Sequence, residues 1–297
     1  MILAAMDLGT NSVKLLVAEA RGGRLRPIEE RAVITRLGEG LERNRLISEP
    51  AMDRTLEALV GFREIARRRH AWDIAAVGTR VFRDAKNARV FVRRCRTELD
   101  LPVRVLSGAE EARLGFVGAT EGLGSATVVD VGGGSTQIMA GDRGRLRLGR
   151  SADVGAVVVT EAHLRSDPPS PRELEEARAR VGPPLDALLR RAKLPHALVG
   201  IGGTITSAAA IHWKRTSIHG CALSLAAIDA LRDRLAAMPL ERRRGVRGLE
   251  PARADVIVAG LLILSEVMRR GGFAELHASA RGLRHGVAIE LARSPQS

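Results

Sequence analysis

The chain has 297 residues, 45% of them hydrophobic, so it is long enough to form two domains that each bury a core. Only 2% of the residues are aromatic and none is Tyr, which argues against single-stranded nucleic-acid recognition, because that recognition depends on base stacking. The formal net charge of +13 favours a polyanionic partner, with an Arg-rich genome composition as the alternative explanation of the excess.

The cysteines and the apolar runs predict a cytoplasmic protein that does not bind membranes. Cys95 and Cys221 have neither metal-binding nor redox spacing, so free thiols in a reducing compartment are expected. The first residues lack the basic flank and the cleavage site of a signal peptide. The longest apolar run, residues 256–264, is too short to span a bilayer.

In the first part of the chain, strand-like and helical patterns alternate. The predicted strands cover residues 2–6, 13–18, 24–33, 73–78 and 103–106. The predicted helices run from Ser48 to about residue 69, after residue 87 to about residue 99, and over 110–119. Residues 36–44 are predicted to form a polar loop.

The second part continues the alternation. Strands are predicted over residues 126–129, 137–140 and 275–280 and near Leu146, and helices near 171–192, after Ser224, over 251–270 and at the end of the chain. Pro183 and Pro184 are expected to interrupt the first of these helices. The alternation predicts an α/β class, with domains at 1–122 and 123–297 and a terminal helix that is able to pack back on the first domain.

Two glycine-rich turns, each headed by an aspartate, are the most informative feature of the chain. The first runs from Asp7 to Ser12 and the second, 123 residues later, from Asp130 to Thr136. Each lies between two strand-like segments. Glycines let backbone N–H groups converge on an anion, and aspartate oxygens suit a cation such as magnesium. The duplication predicts two similar lobes that hold one phosphate-bearing ligand between them.

A third glycine turn, Gly202-Gly203-Thr204, leads directly into a helix. A helix N-terminus suits an anion because its unpaired N–H groups and its dipole both point there. Any one of the three turns, taken singly, has a plain hairpin or loop as its alternative. Three such turns in one chain favour phosphate binding.

Seven motifs follow one another along the chain, at residues 6–12, 83–87, 107–113, 130–136, 202–204, 253–257 and 282–284. Together they resemble the exopolyphosphatase/guanosine pentaphosphate phosphohydrolase family over nearly the whole length. The resemblance implies the two-lobed, ribonuclease H-like α/β fold of actin, sugar kinases and DnaK-type chaperones, with duplicated lobes and a cleft between them. It also implies the short form of the family, without extra C-terminal helical domains.

The resemblance implies a role for each matching residue. Glu111 matches the family's catalytic glutamate, which deprotonates the attacking water. Asp130 matches the family's metal-ligand aspartate, and Asp7 is expected near the same ion, Mg²⁺ or another divalent cation. Phosphate contacts are expected from the three turns and from two arginines that face the cleft: Gly9, Thr10, Asn11, Ser12, Gly132, Gly133, Gly134, Ser135, Thr136, Gly202, Gly203, Thr204, Arg83 and Arg253.

Four positions depart from the family pattern. Gln137 stands where a glutamate is usual, and Lys14 stands where a histidine is common, which adds a candidate phosphate contact. Ala280 and His285 replace two acidic residues. These changes remove carboxylates and make the expected cleft more positive, which favours a polyanion.

These features predict an exopolyphosphatase that removes terminal orthophosphate from inorganic polyphosphate with a divalent cation. One alternative is hydrolysis of the 5′ phosphate of guanosine pentaphosphate. Another is a regulatory protein that binds polyphosphate or a guanosine penta- or tetraphosphate without hydrolysing it, an alternative that Gln137 and Ala280 keep open. A homodimer is expected from the family alone, and no specific nucleic-acid partner is expected.

Overall fold

The structure is a computed structural model and describes residues 1–22, 24–190 and 192–293. The elements in the first part of the chain are β1 Ile2–Leu8, β2 Ser12–Arg21, β3 Arg24–Ile34, α1 Leu41–Asn44, α2 Glu49–Arg68, β4 Asp73–Gly78, α3 Arg80–Asp84, α4 Ala88–Leu99, β5 Val103–Val105 and α5 Gly108–Ala119. The elements that follow are β6 Ser125–Val131, β7 Thr136–Asp142, β8 Arg145–Ala152, α6 Ala156–His163, α7 Pro171–Leu189, β9 Leu198–Ile201, α8 Gly203–Trp213, β10 Ala222–Ser224, α9 Leu225–Ala236, α10 Leu240–Arg244, α11 Ile257–Gly271, β11 Glu275–Ala278 and α12 Leu283–Arg293.

The chain divides into two compact units. Unit 1 comprises Met1–Gly118 and the residues from Leu283 onward, and unit 2 comprises Ala119–Gly282. The division therefore falls after residue 118, whereas the sequence places it after residue 122. Helix α12 packs on β1 and β2 and so forms part of unit 1.

Over the described residues, unit 1 is built on a five-stranded mixed sheet in the order β3-β2-β1-β4-β5. Strand β1 pairs antiparallel with β2 and parallel with β4. Both faces of this sheet are covered, because side chains on successive residues of β1 and β2 enter different apolar clusters. Leu15 and Val17 pack on the α2 and α4 side, and Leu16 packs on the α5 and α12 side.

Unit 2 repeats this topology on a mixed sheet that has six strands in the part of the chain described, in the order β10-β11-β9-β6-β7-β8. Strands β6, β7, β8, β9 and β11 take the places of β1 to β5, with the same parallel and antiparallel pairings. A register shift occurs between Val17 and Ala18 in unit 1 and, 123 residues later, between Ala140 and Gly141 in unit 2. The predicted α/β fold with duplicated units is confirmed.

Three local predictions are wrong. Helix α7 continues through Pro183 and Pro184, because its apolar face packs on α11 and outweighs the lost backbone hydrogen bonds. The loop predicted over 36–44 contains the short helix α1. The single helix predicted over 251–270 is a 3-10 turn at Pro251–Arg253 followed by α11.

Within residues 1–22, 24–190 and 192–293, no helix is both long enough and apolar enough to cross a membrane. The cytoplasmic location stays a prediction.

Candidate active site

The two aspartate-headed turns have the same backbone geometry. In the first, the Gly9 N–H donates to the Ser12 carbonyl oxygen at 3.0 Å; in the second, the Gly132 N–H donates to the Ser135 carbonyl oxygen at 2.9 Å. A Cβ added to either glycine would lie 3.1 Å from that same carbonyl oxygen. The close approach explains why both turns place glycine at this position.

Backbone contacts behind each turn fix the direction of its peptide groups. The Thr10 and Asn11 carbonyls accept hydrogen bonds from backbone N–H groups of residues 35–38. In the second turn, the Gly132 and Gly133 carbonyls accept from the N–H groups at the start of α6. Because C=O and N–H point in opposite directions across a trans peptide, the N–H groups of Asn11, Ser12 and Gly133 point away from these supports. This orientation suits an anion bound on the outer side of each turn.

Helix α6, which was not predicted from the sequence, supports the second turn from behind. A Cβ on Gly155, which precedes α6, would lie 2.2 Å from the Gly133 carbonyl oxygen, so the two backbones are in contact. The helix has the sequence Ala-Val-Val-Val-Thr-Glu-Ala-His, whose β-branched residues disfavour a helix. Gly155, immediately before the helix, was the sequence signal that could have indicated this close backbone contact.

The aspartates face different partners across their strands. Asp7 lies opposite Lys14 in the β1–β2 register, with Lys14 Nζ 3.7 Å from Asp7 Oδ2. Asp130 lies opposite Gln137 in the equivalent β6–β7 register. The predicted metal ligands are thus held at equivalent positions of the two sheets, one next to an ammonium group and the other next to an amide.

The third turn brings its glycines against Asp130 and Arg253. Gly202 has φ +90°, and a Cβ there would lie 2.4 Å from Asp130 Oδ1, so the carboxylate lies directly at the N-terminus of α8. The dipole of that helix stabilises the negative charge. The Arg253 guanidinium packs on Gly203 and donates through Nε to Glu250 Oε2 at 2.9 Å.

Two predicted phosphate ligands use their hydroxyl groups inside the protein. Thr136 is buried, and its Oγ1 donates to the Val154 carbonyl oxygen at 2.6 Å. Thr204 is also buried, and its Oγ1 donates to the Val131 carbonyl oxygen at 3.4 Å. Both hydroxyls therefore hold the second and third turns to neighbouring backbone.

In unit 1, Glu111 is paired with Arg83. Arg83 Nη1 donates to Glu111 Oε2 at 2.9 Å and to the Leu106 carbonyl oxygen at 2.8 Å. The Glu111 side chain is 16% exposed and lies in the first turn of α5. The arginine therefore fixes the orientation of the candidate base from outside its helix.

The neighbouring Glu110 has a different task. Its carboxylate accepts from the Ser107 N–H at 2.9 Å and from the Ser107 hydroxyl, and the Glu110 N–H is 3.2 Å from that hydroxyl, which makes a capping box at the start of α5. The hydrogen bond from the Ser107 backbone lowers the pKa of Glu110. Of two adjacent glutamates, Glu110 caps the helix and Glu111 is left for the arginine.

The carboxylate of Asp130 suits a magnesium ion whose coordination is completed by water and substrate. In the part of the chain that the structure describes, no group of three or more His, Cys, Asp or Glu side chains is arranged to hold a metal. Mg²⁺ is commonly bound by one or two carboxylates together with water and substrate phosphates. Asp130, at the edge of the second glycine turn, is a carboxylate that fits this pattern.

The motif near the end of the chain contributes to unit 1. Arg284 Nη2 donates to Glu30 Oε2 at 2.7 Å, and the buried His285 has Nε2 3.2 Å from Glu30 Oε1. A Cβ on Gly286 would lie 1.9 Å from the Leu114 carbonyl oxygen, so α12 and α5 cross in direct backbone contact. His285, which replaces an acidic residue of the family pattern, thus joins α12 to an acid on β3.

A model of the Ppx/GppA phosphatase family matches residues 16–294. The chain belongs to the Ppx/GppA phosphatase family. It is 35% identical to exopolyphosphatase 2 of Mycobacterium tuberculosis over 98% of each chain. A crystal structure of the Aquifex aeolicus member of the Ppx/GppA family matches with a TM-score of 0.85 at 30% identity, covering 100% of this chain and 99% of that one.

An exopolyphosphatase from Cytophaga hutchinsonii gives a TM-score of 0.87 at 26% identity over 98% of both chains. These family relatives cover both units from end to end. The family resemblance and the α/β fold with duplicated units are therefore confirmed, whereas the roles of individual residues stay predictions.

Proposed function

We propose that the protein is an exopolyphosphatase that hydrolyses the terminal phosphoanhydride bond of inorganic polyphosphate and releases orthophosphate. The observation that carries the proposal is the pair of glycine turns with matching backbone hydrogen bonds. Unit 1 also contains an arginine-paired glutamate, and unit 2 a carboxylate at a helix N-terminus. Membership of the Ppx/GppA phosphatase family and the similarity to named exopolyphosphatases support it.

Glu111 is the proposed general base. Phosphoryl transfer needs little covalent chemistry from the protein, so the main tasks are to place a water in line with the leaving oxygen and to neutralise charge on the phosphate. The Arg83 contact at 2.9 Å holds one oxygen of the Glu111 carboxylate, which leaves the side chain in one orientation to accept a proton from that water.

Asp130 is the proposed principal ligand of a divalent cation, with Mg²⁺ as the preferred ion. The cation would offset negative charge on the phosphate oxygens. The turn N–H groups, together with Arg83 and Arg253, would bind phosphate oxygens, to which guanidinium groups are geometrically matched.

Polyphosphate is the proposed substrate because the backbone N–H groups of the glycine turns suit phosphate oxygens and the net charge is +13. Guanosine pentaphosphate is the alternative substrate for the same residues. Binding without hydrolysis is a second candidate function, and it is favoured by one observation, the neutral Gln137 opposite Asp130.

The test compares orthophosphate release from polyphosphate in the presence of Mg²⁺ by the wild type, Glu111→Gln and Glu110→Gln. Glu110→Gln is the matched control, since it makes the same chemical change one residue away and a glutamine still serves in a capping box. We expect activity in the wild type and the control and a loss of about a hundredfold or more in Glu111→Gln.

Each other outcome identifies a different error. Release of orthophosphate from guanosine pentaphosphate but not from polyphosphate would show that the proposed substrate is wrong and the proposed hydrolytic mechanism still holds. Tight polyphosphate binding with no release by the wild type would support the binding protein. Equal release by Glu111→Gln and the wild type would remove Glu111 from the role of base.

A further inference from the structure

Arg243, in the short helix α10, is a charged side chain in the interior of unit 2. It is the middle one of three consecutive arginines and is 4% exposed, whereas Arg242 and Arg244 are exposed. Arginine is almost never fully buried unless its charge is paired and its donors are satisfied. The burial of this guanidinium group therefore implies that its partners belong to segments that it holds together.

The guanidinium group of Arg243 binds three separate segments. Its Nε donates to the Met238 carbonyl oxygen at 3.0 Å, and its Nη1 donates to the Ala254 carbonyl oxygen at 3.1 Å. Its Nη2 donates to Asp167 Oδ1 at 2.7 Å, and the same carboxylate accepts from the Leu240 N–H at the start of α10. The planar fork of five N–H donors allows one arginine to hold three acceptors at once.

One of these acceptors adjoins the candidate phosphate ligand of unit 2. Ala254 follows Arg253 directly and ends the 3-10 turn Pro251–Arg253. The Arg253 N–H donates to the Glu250 carbonyl oxygen at 2.8 Å, and Arg253 Nε donates to Glu250 Oε2 at 2.9 Å. The hydrogen bond from Arg243 to Ala254 thus fixes the end of the turn that carries the Arg253 side chain.

The Arg253 guanidinium group has little freedom of position. A Cβ on Gly203 would collide with Arg253 Nη1, so the group lies against the backbone at the N-terminus of α8. A Cβ on Gly248 would lie 2.8 Å from the Ala210 carbonyl carbon, so the chain before the 3-10 turn also contacts α8. A shift of this segment would move Arg253 away from a helix N-terminus whose dipole, like the guanidinium group, favours an anion.

We propose that Arg243 is a positioning residue for phosphate binding. By holding the Ala254 carbonyl, it keeps the Arg253 guanidinium group at the N-terminus of α8, and Asp167 neutralises the buried charge. Arg243 acts through Arg253 and does not touch phosphate itself. The role rests on the proposed function, in which Arg253 binds substrate phosphate.

The test is a double-mutant cycle of Arg243→Met and Arg253→Gln with two readouts. The first is the dissociation constant of a methylene analogue of tripolyphosphate, which the enzyme is unable to hydrolyse, measured by calorimetry at fixed Mg²⁺. The second is Tm. Arg232→Met is the matched control, because Arg232 is also buried, at 7% exposed, and is paired with Asp229 and Asp233 in unit 2.

The affinities are expected to be coupled. Arg253→Gln should weaken binding of the analogue by about tenfold to a hundredfold, the usual effect of losing hydrogen bonds to a charged group. Arg243→Met should weaken it by about tenfold alone, but by no more than about twofold when added to Arg253→Gln, because the group that it positions is already gone. Arg232→Met should leave the constant within about twofold of the wild type.

The stabilities are expected to behave differently. Arg243→Met and Arg232→Met should each lower Tm by several degrees, because each leaves buried partners of an arginine unpaired. Arg243→Met should lower Tm by the same amount in the Arg253→Gln background. Coupling in the affinity without coupling in Tm is the expected signature, since a purely structural residue would change both independently of Arg253.

Asp167→Asn is a milder variant that keeps the test decisive where Arg243→Met does not fold. The Asp167 side chain is 47% exposed, and asparagine still accepts from the Leu240 N–H. Because a neutral acceptor binds a guanidinium group less strongly than a carboxylate does, the analogue should bind about threefold more weakly. The same change should have no further effect in the Arg253→Gln background.

Three results would overturn the inference: additive losses of affinity in the cycle, an unchanged affinity in Arg243→Met, or an equal loss in Arg232→Met. A wild type that does not bind the analogue would overturn it as well. Orthophosphate release from polyphosphate is measured separately. Release by the wild type together with an additive cycle would reject only the role of Arg243, and a coupled cycle without release would reject only the proposed hydrolysis.

Discussion

Units 1 and 2 share a backbone and differ in the chemistry placed on it. The strand order recurs in both units, and the register shift and the glycine turn recur at the same offset of 123 residues. The residues opposite the two aspartates and the elements that support the turns differ, with the 35–38 segment behind the first turn and α6 behind the second. Steric demands on a tight turn are the same in both copies, whereas the demands of phosphate, water and cation are not.

The largest expected effect comes from closing the space beside Asp130. In Gly202→Ala, the added methyl would lie 2.4 Å from Asp130 Oδ1, at a residue with φ +90°, so the carboxylate must move. We expect a fall in kcat of about a hundredfold, since placement errors near 1 Å have effects of this size. Steady-state kinetics with polyphosphate measures it.

Gly220→Ala is the control for backbone strain. It also places alanine at a positive φ, +78°, in unit 2, but its methyl would meet nothing within 4 Å. It should lower stability by about 1–2 kcal/mol and leave kcat unchanged. Equal losses of kcat in both variants would show that strain, and not the Asp130 contact, is responsible.

The next largest effect on kcat is expected from breaking the ion pair between Arg83 and Glu111 in unit 1. Arg83→Gln removes the donor to Glu111 and should lower kcat by about tenfold to a hundredfold. Arg80→Gln is the neighbouring control, because Arg80 Nε donates to Asp84 Oδ2 at 2.9 Å within α3. Kinetics that place both variants at the same kcat would contradict a specific role for the Arg83 contact.

A smaller effect, on Mg²⁺ binding, is expected at Gln137, the neutral residue opposite Asp130 in unit 2. Gln137→Glu adds a carboxylate opposite Asp130 and should tighten Mg²⁺ binding by about tenfold, because a second negative charge faces the ion. Gln137→Ala changes no charge and serves as the control. Magnesium titrations that leave Gln137→Glu indistinguishable from Gln137→Ala would place the cation away from this pair of residues.

The smallest effect concerns the acid that joins α12 to β3. Burial alone would raise the pKa of Glu30, but His285 and Arg284 outweigh it and hold that pKa below the usual 4.5. A carboxyl whose pKa is lower in the folded than in the unfolded state stabilises the fold above about pH 4.5, and this contribution is lost as the pH falls through the folded value.

The expected result is a Tm difference between the wild type and Glu30→Gln that is largest near pH 7 and shrinks below pH 4.5. Thermal unfolding across this range measures it. A difference that grows as the pH falls would contradict the assignment of the pKa shift to this cluster.

Much of the fold could be predicted because its signals are local. Apolar runs such as residues 2–6 mark buried strands. Asp7 and Asp130, 123 residues apart, each follow such a run and head a glycine-rich turn. Pro183 and Pro184 misled the prediction because the packing of α7 on α11 is a long-range effect that the local sequence does not show. Helix α6 was missed for the opposite reason, since its valines disfavour a helix locally.

The candidate site was predictable in its members and not in their pairing. Motifs singled out Glu111 and Arg83 separately, but only the structure shows that Arg83 donates to Glu111 while Glu110 caps the helix. Thr136 and Thr204 illustrate the same limit of prediction from motifs. Their hydroxyl groups donate to backbone carbonyl oxygens within the protein, which the motifs do not reveal.

Single-turnover release of orthophosphate from polyphosphate by Glu111→Gln, measured beside its polyphosphate affinity, tests the central claim most directly. We predict that the rate falls by about a hundredfold or more while the dissociation constant stays within about threefold of the wild type, because a general base acts on the water and not on substrate binding. An unchanged rate at unchanged affinity would contradict the claim that Glu111 activates the water.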